Sequence, residues 1–168
     1  SWEISAIKNS VSIVSEGALK GEKLDKLIVD YEYRLIGKSI FEKFGYEFPL
    51  LIKFIDAKQD LSVQLHPDDI IAKKHHKSNG KLEMWYIIKS MPDSKISVGF
   101  SENISREKYL AYLKKNKLEK ILNFKKVKPY DAFLINPGVV HSIGKNILLA
   151  EIQQASDITY RIYDYGRK

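Results

Sequence analysis

The chain has 168 residues, 28 Lys and Arg against 21 Asp and Glu, a formal net charge of +7 and no cysteine. That length suits one domain with a sizeable core. The missing cysteines exclude disulfides and thiolate metal sites, and no run of about 18 apolar residues is present to form a membrane span.

The basic excess is 24 Lys and 4 Arg, scattered rather than gathered into an arm. This is a poor stock of the guanidinium fork that reads bases and phosphates, so nucleic acid is not an expected partner. A diffuse positive potential suits a small anionic substrate better. The chain opens SWEISAIKNS, without Met and without the basic-then-apolar order of a secretory signal. We expect a piece of polypeptide upstream and, with no cysteine, a cytoplasmic protein.

Trp2, Ile4 and Ala6 alternate with polar residues, and Val11 and Ile13 alternate again beyond Asn9-Ser10. This predicts two strands. Leu24, Leu27, Ile28 and Tyr31 have helical spacing, with Gly37 as the stop. Residues 49–56 and 60–65 read as strands. Pro67 suits the first turn of a helix to about His75, with Asp68 and Asp69 at the positive end of its dipole. Residues 82–88 and 96–100 predict further strands. Ser105 is a candidate N-cap for a helix carrying Tyr109, Leu110 and Leu113, followed by a short helix near 118–122. Residues 127–135, 147–154 and 159–163 then read as strands. The sum is a mainly β chain, one β-barrel or double-sheet domain over 1–168 with a small helical insertion around 104–123.

Three places carry chemistry. Gln64 and His66 are two apart at the end of a strand, so they share a face and can converge on one ion. Glu83 interrupts the apolar run 82–88, which is costly for a carboxylate that is not paired, hydrogen-bonded or bound to metal; the plainer alternative is an outward-facing residue on a half-buried strand. His141 follows the Pro137-Gly138 turn, with Asn146 beyond it. That string resembles the second cupin motif. Together Gln64, His66, Glu83 and His141 supply two imidazoles, a carboxylate and an amide oxygen. Such donors suit Zn²⁺, and also Fe²⁺, Mn²⁺ or Co²⁺. His75-His76, at the basic end of a predicted helix, is read as a dipole contact, and Trp85 and Tyr86 as core residues.

The segments Gln64-Leu65-His66-Pro67-Asp68-Asp69, Gly80-Lys81-Leu82-Glu83-Met84-Trp85-Tyr86, His141-Ser142-Ile143-Gly144 and EIQQASDITYRIYDY, with the opening SWEIS, resemble the type I mannose-6-phosphate isomerase family in order and spacing. The resemblance implies a cupin-type jelly roll and a zinc-dependent interconversion of mannose 6-phosphate and fructose 6-phosphate. It implies Gln64, His66, Glu83 and His141 as metal ligands, and Lys81, Glu151 and Arg161 as residues of the substrate pocket. Family members are longer, so the chain reads as a fragment lacking an upstream strand and a second cupin-like unit. A monomer is expected.

Aldose–ketose exchange passes through an enediolate, which needs a cation near oxygen and a group that moves the proton between carbons. Glu151, on an apolar strand, is the first candidate base; Lys81 or a metal-bound water is the second. Arg161 between Tyr160 and Ile162 is placed to orient hydroxyls or grip phosphate, unless it pairs with Asp157 or Asp164. Lys81 lies two residues before Glu83, on the same face if the strand starts that early, and is otherwise a solvated lysine. Two other classes stay open: a cupin-type iron dioxygenase, since two His and a carboxylate describe that triad too, and a non-catalytic module that binds metal and sugar.

Overall fold

A computed structural model describes residues 1–167; Lys168, the last residue of the expected domain, lies outside the described residues. Ten strands form two antiparallel five-stranded sheets. The first has the order β1 (Trp2–Ile4), β2 (Leu50–Ala57), β9 (Ile147–Gln154), β4 (Glu83–Ser90), β7 (Ala132–Ile135). The second runs β10 (Tyr160–Tyr163), β3 (Val63–Leu65), β8 (His141–Ile143), β5 (Lys95–Phe100), β6 (Leu122–Lys126). Among the described residues no strand pairing joins the sheets, so the architecture is a mainly β double sheet rather than a shown closed barrel.

The sheets meet through one core. Trp85, Ile87, Ile147 and Leu149 of the first sheet pack with Ile96 and Ile143 of the second. Each fully buried side chain of this size contributes about 1.5–3 kcal/mol. The outer face of the second sheet is covered by α5 (Arg106–Lys114) and a 3₁₀ turn (Leu118–Ile121), where Val63, Val140 and Tyr163 meet Leu118 and Ile121. Ser105 caps α5 as expected, its Oγ accepting from the Lys108 amide at 3.2 Å. Arg106 to Ile121 thus lie on that outer face.

The strands expected at 49–56, 60–65, 82–88, 96–100, 147–154 and 159–163 all have counterparts among these elements. The strand expected around Val11 and Ile13 is absent: only an isolated bridge between Ile13 and Lys23 forms there. The stretch 127–135 is not one strand. Val127 to Asp131 form the link between β6 and β7, with Tyr130 at φ 76° and Asp131 accepting from the Lys128 amide. Lys128-Pro129 favours such a turn because Pro129 offers no ladder donor.

Gly37 ends one helix and starts another. α1 (Leu24–Tyr31) and α2 (Tyr33–Ile36) precede it, and α3 (Lys38–Phe44) follows. Its φ of 90° makes a sharp corner that L side chains rarely adopt. α4 (Asp69–His76) begins later than expected, with Asp68 rather than Pro67 at its boundary, accepting from the Ile71 amide at 2.8 Å. β4 and β9 alternate between buried and more exposed positions. Met84, Tyr86 and Ile88 thus stand on the outer face while Glu83, Trp85 and Ile87 point inward. No helix of the described residues is long and apolar enough to cross a membrane.

Candidate metal centre

Strand alternation decides which side chains enter the space between the sheets. From β4 come Glu83 and Trp85; from β9, Glu151 and Gln153, all buried. β2 adds Lys53, paired directly across from Glu151. In the second sheet His141 opens β8 and is paired with Gln64 of β3, which is in turn paired with Arg161 of β10. Directly opposed antiparallel residues share a face, so Gln64, His141 and Arg161 line the same side of that sheet. His66 follows β3 immediately and is 1% exposed.

These placements bring His66, Glu83 and His141 together, one donor atom from each lying within 4.8 Å of the others. His66 Nε2 is 3.2 Å from Glu83 Oε1, and His141 Nε2 is 3.7 Å from Oε2. Among the described residues these four atoms are the buried side-chain donors and acceptors that make no hydrogen bond. Such groups are rare in folded proteins and costly to leave unmet.

The other ring nitrogens explain how the rings are set. His66 Nδ1 is 3.0 Å from the Ile158 carbonyl and His141 Nδ1 is 2.8 Å from the Val139 carbonyl. A carbonyl only accepts, so each Nδ1 carries the proton and each Nε2 presents a lone pair. Two lone pairs then face a carboxylate in a dry space, an arrangement that repels itself unless a cation sits among them. The donors present fit a divalent metal, and their ionisation agrees. Burial pushes the His141 imidazole down to about 4 against the opposing pull of Glu83, so it is neutral at pH 7. Burial by itself would raise the Glu83 carboxyl, but the charge of nearby Lys81 opposes it and keeps the acid below its usual range.

Lys81 is 5% exposed, not a solvated lysine. Its Nζ lies 3.3 Å from Glu83 Oε1, near enough for ion pairing but not aligned as a hydrogen bond, and 3.4 Å from the Thr159 hydroxyl. Burial lowers its pKa, the nearby Lys53 adds to that, and Glu83 and Glu151 oppose it. Glu151 is not a free carboxylate. Oε1 accepts from Lys53 Nζ at 2.8 Å and Oε2 accepts from Trp85 Nε1 at 3.1 Å. Arg161 is exposed, and no ion pair to Asp157 or Asp164 forms among the described residues; Asp164 pairs with Arg167 instead.

Lys53, Gln153 and the polar edge of Trp85 belong to this cluster although none was singled out from the sequence. Lys53 breaking the apolar run of β2 was the available signal. Trp85 is core, as expected, yet it also stacks edge-on to His141 at 5.4 Å between ring centroids. His75 and His76 stay away from the centre; His76 Nε2 lies 2.6 Å from the Tyr160 hydroxyl. A wide surface cleft of about 1140 Å³, lined by Lys43, Phe44, Tyr46, Lys73 and Lys77, contains none of the three donors. The unmet polar atoms lie between the sheets instead.

The family model "Phosphomannose isomerase type I, catalytic domain" matches residues 1–86. The mannose-6-phosphate isomerase ManA of Bacillus subtilis is 42% identical over 168 residues, 99% of this chain and 51% of the relative. A mannose-6-phosphate isomerase of Streptococcus mutans is 40% identical over 167 residues, again 99% of this chain and 51% of the relative. The crystal structure of the mannose 6-phosphate isomerase from Bacillus subtilis superposes with a TM-score of 0.85 at 34% identity, covering 99% of this chain and 51% of that one. The chain thus spans about half the length of the curated relatives it matches.

Proposed function

The chain belongs to the type I phosphomannose isomerase family, and from that membership we propose that it forms the catalytic part of a zinc-dependent isomerase interconverting mannose 6-phosphate and fructose 6-phosphate. The observation that carries the reading is the buried triad of His66, Glu83 and His141 with four unmet donor atoms facing one another. Two imidazoles and a carboxylate are a catalytic zinc set, leaving room for a further ligand. Gln64, paired beside His141, is the fourth ligand of the proposal. We take residues 1–168 as a single cupin-type jelly-roll domain, monomeric and cytoplasmic.

His66, Glu83, His141 and Gln64 would hold a divalent ion, which when bound would supply Lewis acidity toward the oxygens at the reacting end of the sugar. The protein supplies the rest. Lys81 is the preferred proton carrier: burial favours its neutral form, and it touches Glu83. Glu151, first considered as the base, has both oxygens engaged; in this scheme it holds Lys53 toward the substrate. Arg161, exposed on the face that also carries Gln64 and His141, orients hydroxyls or the phosphate.

The test is coupled detection of fructose 6-phosphate from mannose 6-phosphate with added Zn²⁺. It is run on this chain and on a fusion to the half of the Bacillus subtilis relative that the chain does not match. Turnover in either form is the expected result. Folded, zinc-loaded protein with no turnover in both overturns the assignment; sugar-phosphate binding alone would mark a non-catalytic module. Oxygen uptake with Fe²⁺ and no isomerisation would instead favour an iron dioxygenase, which shares the triad.

A further inference from the structure

Gln153 is 1% exposed on the inner face of β9, yet all of its amide is engaged. Its Oε1 accepts from Lys53 Nζ at 2.5 Å, and its Nε2 donates to the carbonyls of Ser156 at 2.6 Å and Gln154 at 2.8 Å. The amide has only one orientation that works. Turned over, its NH₂ would face an ammonium and its oxygen two carbonyls.

The segment fastened in this way, residues 155–159, leads directly into the metal centre. Ser156 is buried, and its hydroxyl accepts from the Ile158 amide at 3.4 Å. The Ile158 carbonyl takes the Nδ1 proton of His66, and the Thr159 hydroxyl accepts from Lys81. One buried amide therefore fixes three things: the side chain of Lys53, the acceptor that sets the His66 tautomer, and the neighbour of Lys81. His141 is independent of it, since its Nδ1 partner is the Val139 carbonyl in the turn before β8.

Building on the isomerase reading, we propose that Gln153 is a positioning residue, which through residues 155–159 holds His66 in the tautomer that presents Nε2 to the metal. It is paired across from Glu83 but makes no hydrogen bond to a donor atom of the cluster; it acts through the Ser156 and Ile158 carbonyls. A misplaced Ile158 carbonyl frees the His66 ring to take its proton on either nitrogen, and the tautomer with the proton on Nε2 cannot ligate. Loss of such an outer partner costs about 10–100-fold in metal affinity.

The test uses the metal-free 168-residue chain and its Gln153→Met and Ser156→Ala variants. Gln153→Met keeps the size and adds no charge opposite Glu83, but removes the donor to the two carbonyls. Ser156→Ala is a milder change that removes only the brace on the Ile158 amide. Long-range ¹H–¹⁵N spectra report which ring nitrogen of each histidine carries the proton, and Co²⁺ titration reports affinity.

The expected result is that His66 alone loses its single tautomer while His141 keeps its own, with Co²⁺ binding weakened about 10–100-fold in Gln153→Met and less in Ser156→Ala. An unchanged His66 with unchanged affinity overturns the proposal. So does equal disturbance of His66 and His141, which would mark a general packing role. Neither readout needs turnover, so failure of the isomerase assay with a selective His66 effect would sink the functional reading and leave this one standing.

Discussion

His66 Nε2 stands 3.2 Å from Glu83 Oε1, and neither atom makes a hydrogen bond. Because the His66 proton is held on Nδ1 by the Ile158 carbonyl, the contact is between two electron-rich atoms. Lys81 Nζ, 3.3 Å from the same oxygen, offsets part of the repulsion. A divalent cation held among the donors would remove the rest, which would couple folding to metal loading.

The first expectation follows directly. Zn²⁺ or Co²⁺ should raise the melting temperature, with a gain of about 2.7 kcal/mol at a hundredfold excess over Kd, and chelator should reverse it. Glu83→Gln and His141→Ala should abolish the gain. A melt unaffected by metal would count against the site.

Acid should destabilise the metal-free chain in two stages. The His141 imidazole is held at about 4 in the fold against 6.5 in the open chain, so the unfolded state binds the extra proton between those values. Stability is full above 6.5 and is lost as pH falls toward 4, by about 3 kcal/mol, taking 1.36 kcal/mol for each tenfold change in proton affinity. Glu83, held below its usual 4.5 by the charge of Lys81, contributes stability present above 4.5 and lost as pH falls through its lowered value. Denaturant midpoints at several pH values check both stages, and His141→Gln should remove the first.

In the active form, Lys81→Met should lower kcat by about 10²–10⁴-fold, the usual worth of a proton-transfer group, with bound zinc unchanged. A rise in KM with kcat intact would show that Lys81 binds substrate and that another group moves the proton.

Gly144→Ala should be strongly destabilising although nothing about the backbone dihedral demands glycine. A Cβ there would lie 2.1 Å from the Lys95 carbonyl oxygen, the same oxygen that accepts from the Gly144 amide at 3.0 Å. The end of β8 would have to shift, costing about 1–3 kcal/mol. Urea denaturation measures it, and metal affinity should fall with it because His141 begins the same strand.

The triad was legible chiefly through the family resemblance: Glu83 inside an apolar strand breaks a local rule, but His66 and His141, beside turns at strand ends, are weak signals by themselves. The strands 49–56 and 147–154 were legible from apolar runs of strand length. Lys53 and Gln153 were not legible as partners, since they lie 100 residues apart and meet only through the pairing of β2 with β9. For Glu151 the apolar neighbours were visible in the sequence, but Lys53 and the Trp85 ring nitrogen were not, so it read as a lone buried acid. The missed helix α3 begins at a glycine, which punctuation rules treat as an end. At Val11 and Ile13 the alternation is real but no neighbouring strand completes the ladder.

β9 pairs with β2 along all eight of its residues and with β4 along its other edge. Its side chains alternate, Glu151 and Gln153 inward, Ala150 and Ile152 outward. Inserting or deleting one residue inside this strand would exchange the two sets, turning the acid and amide to the outside and filling the centre with hydrocarbon. The strand is thus open to change by substitution and closed to change by length, and gaps in its descendants should collect in the loops on either side of it.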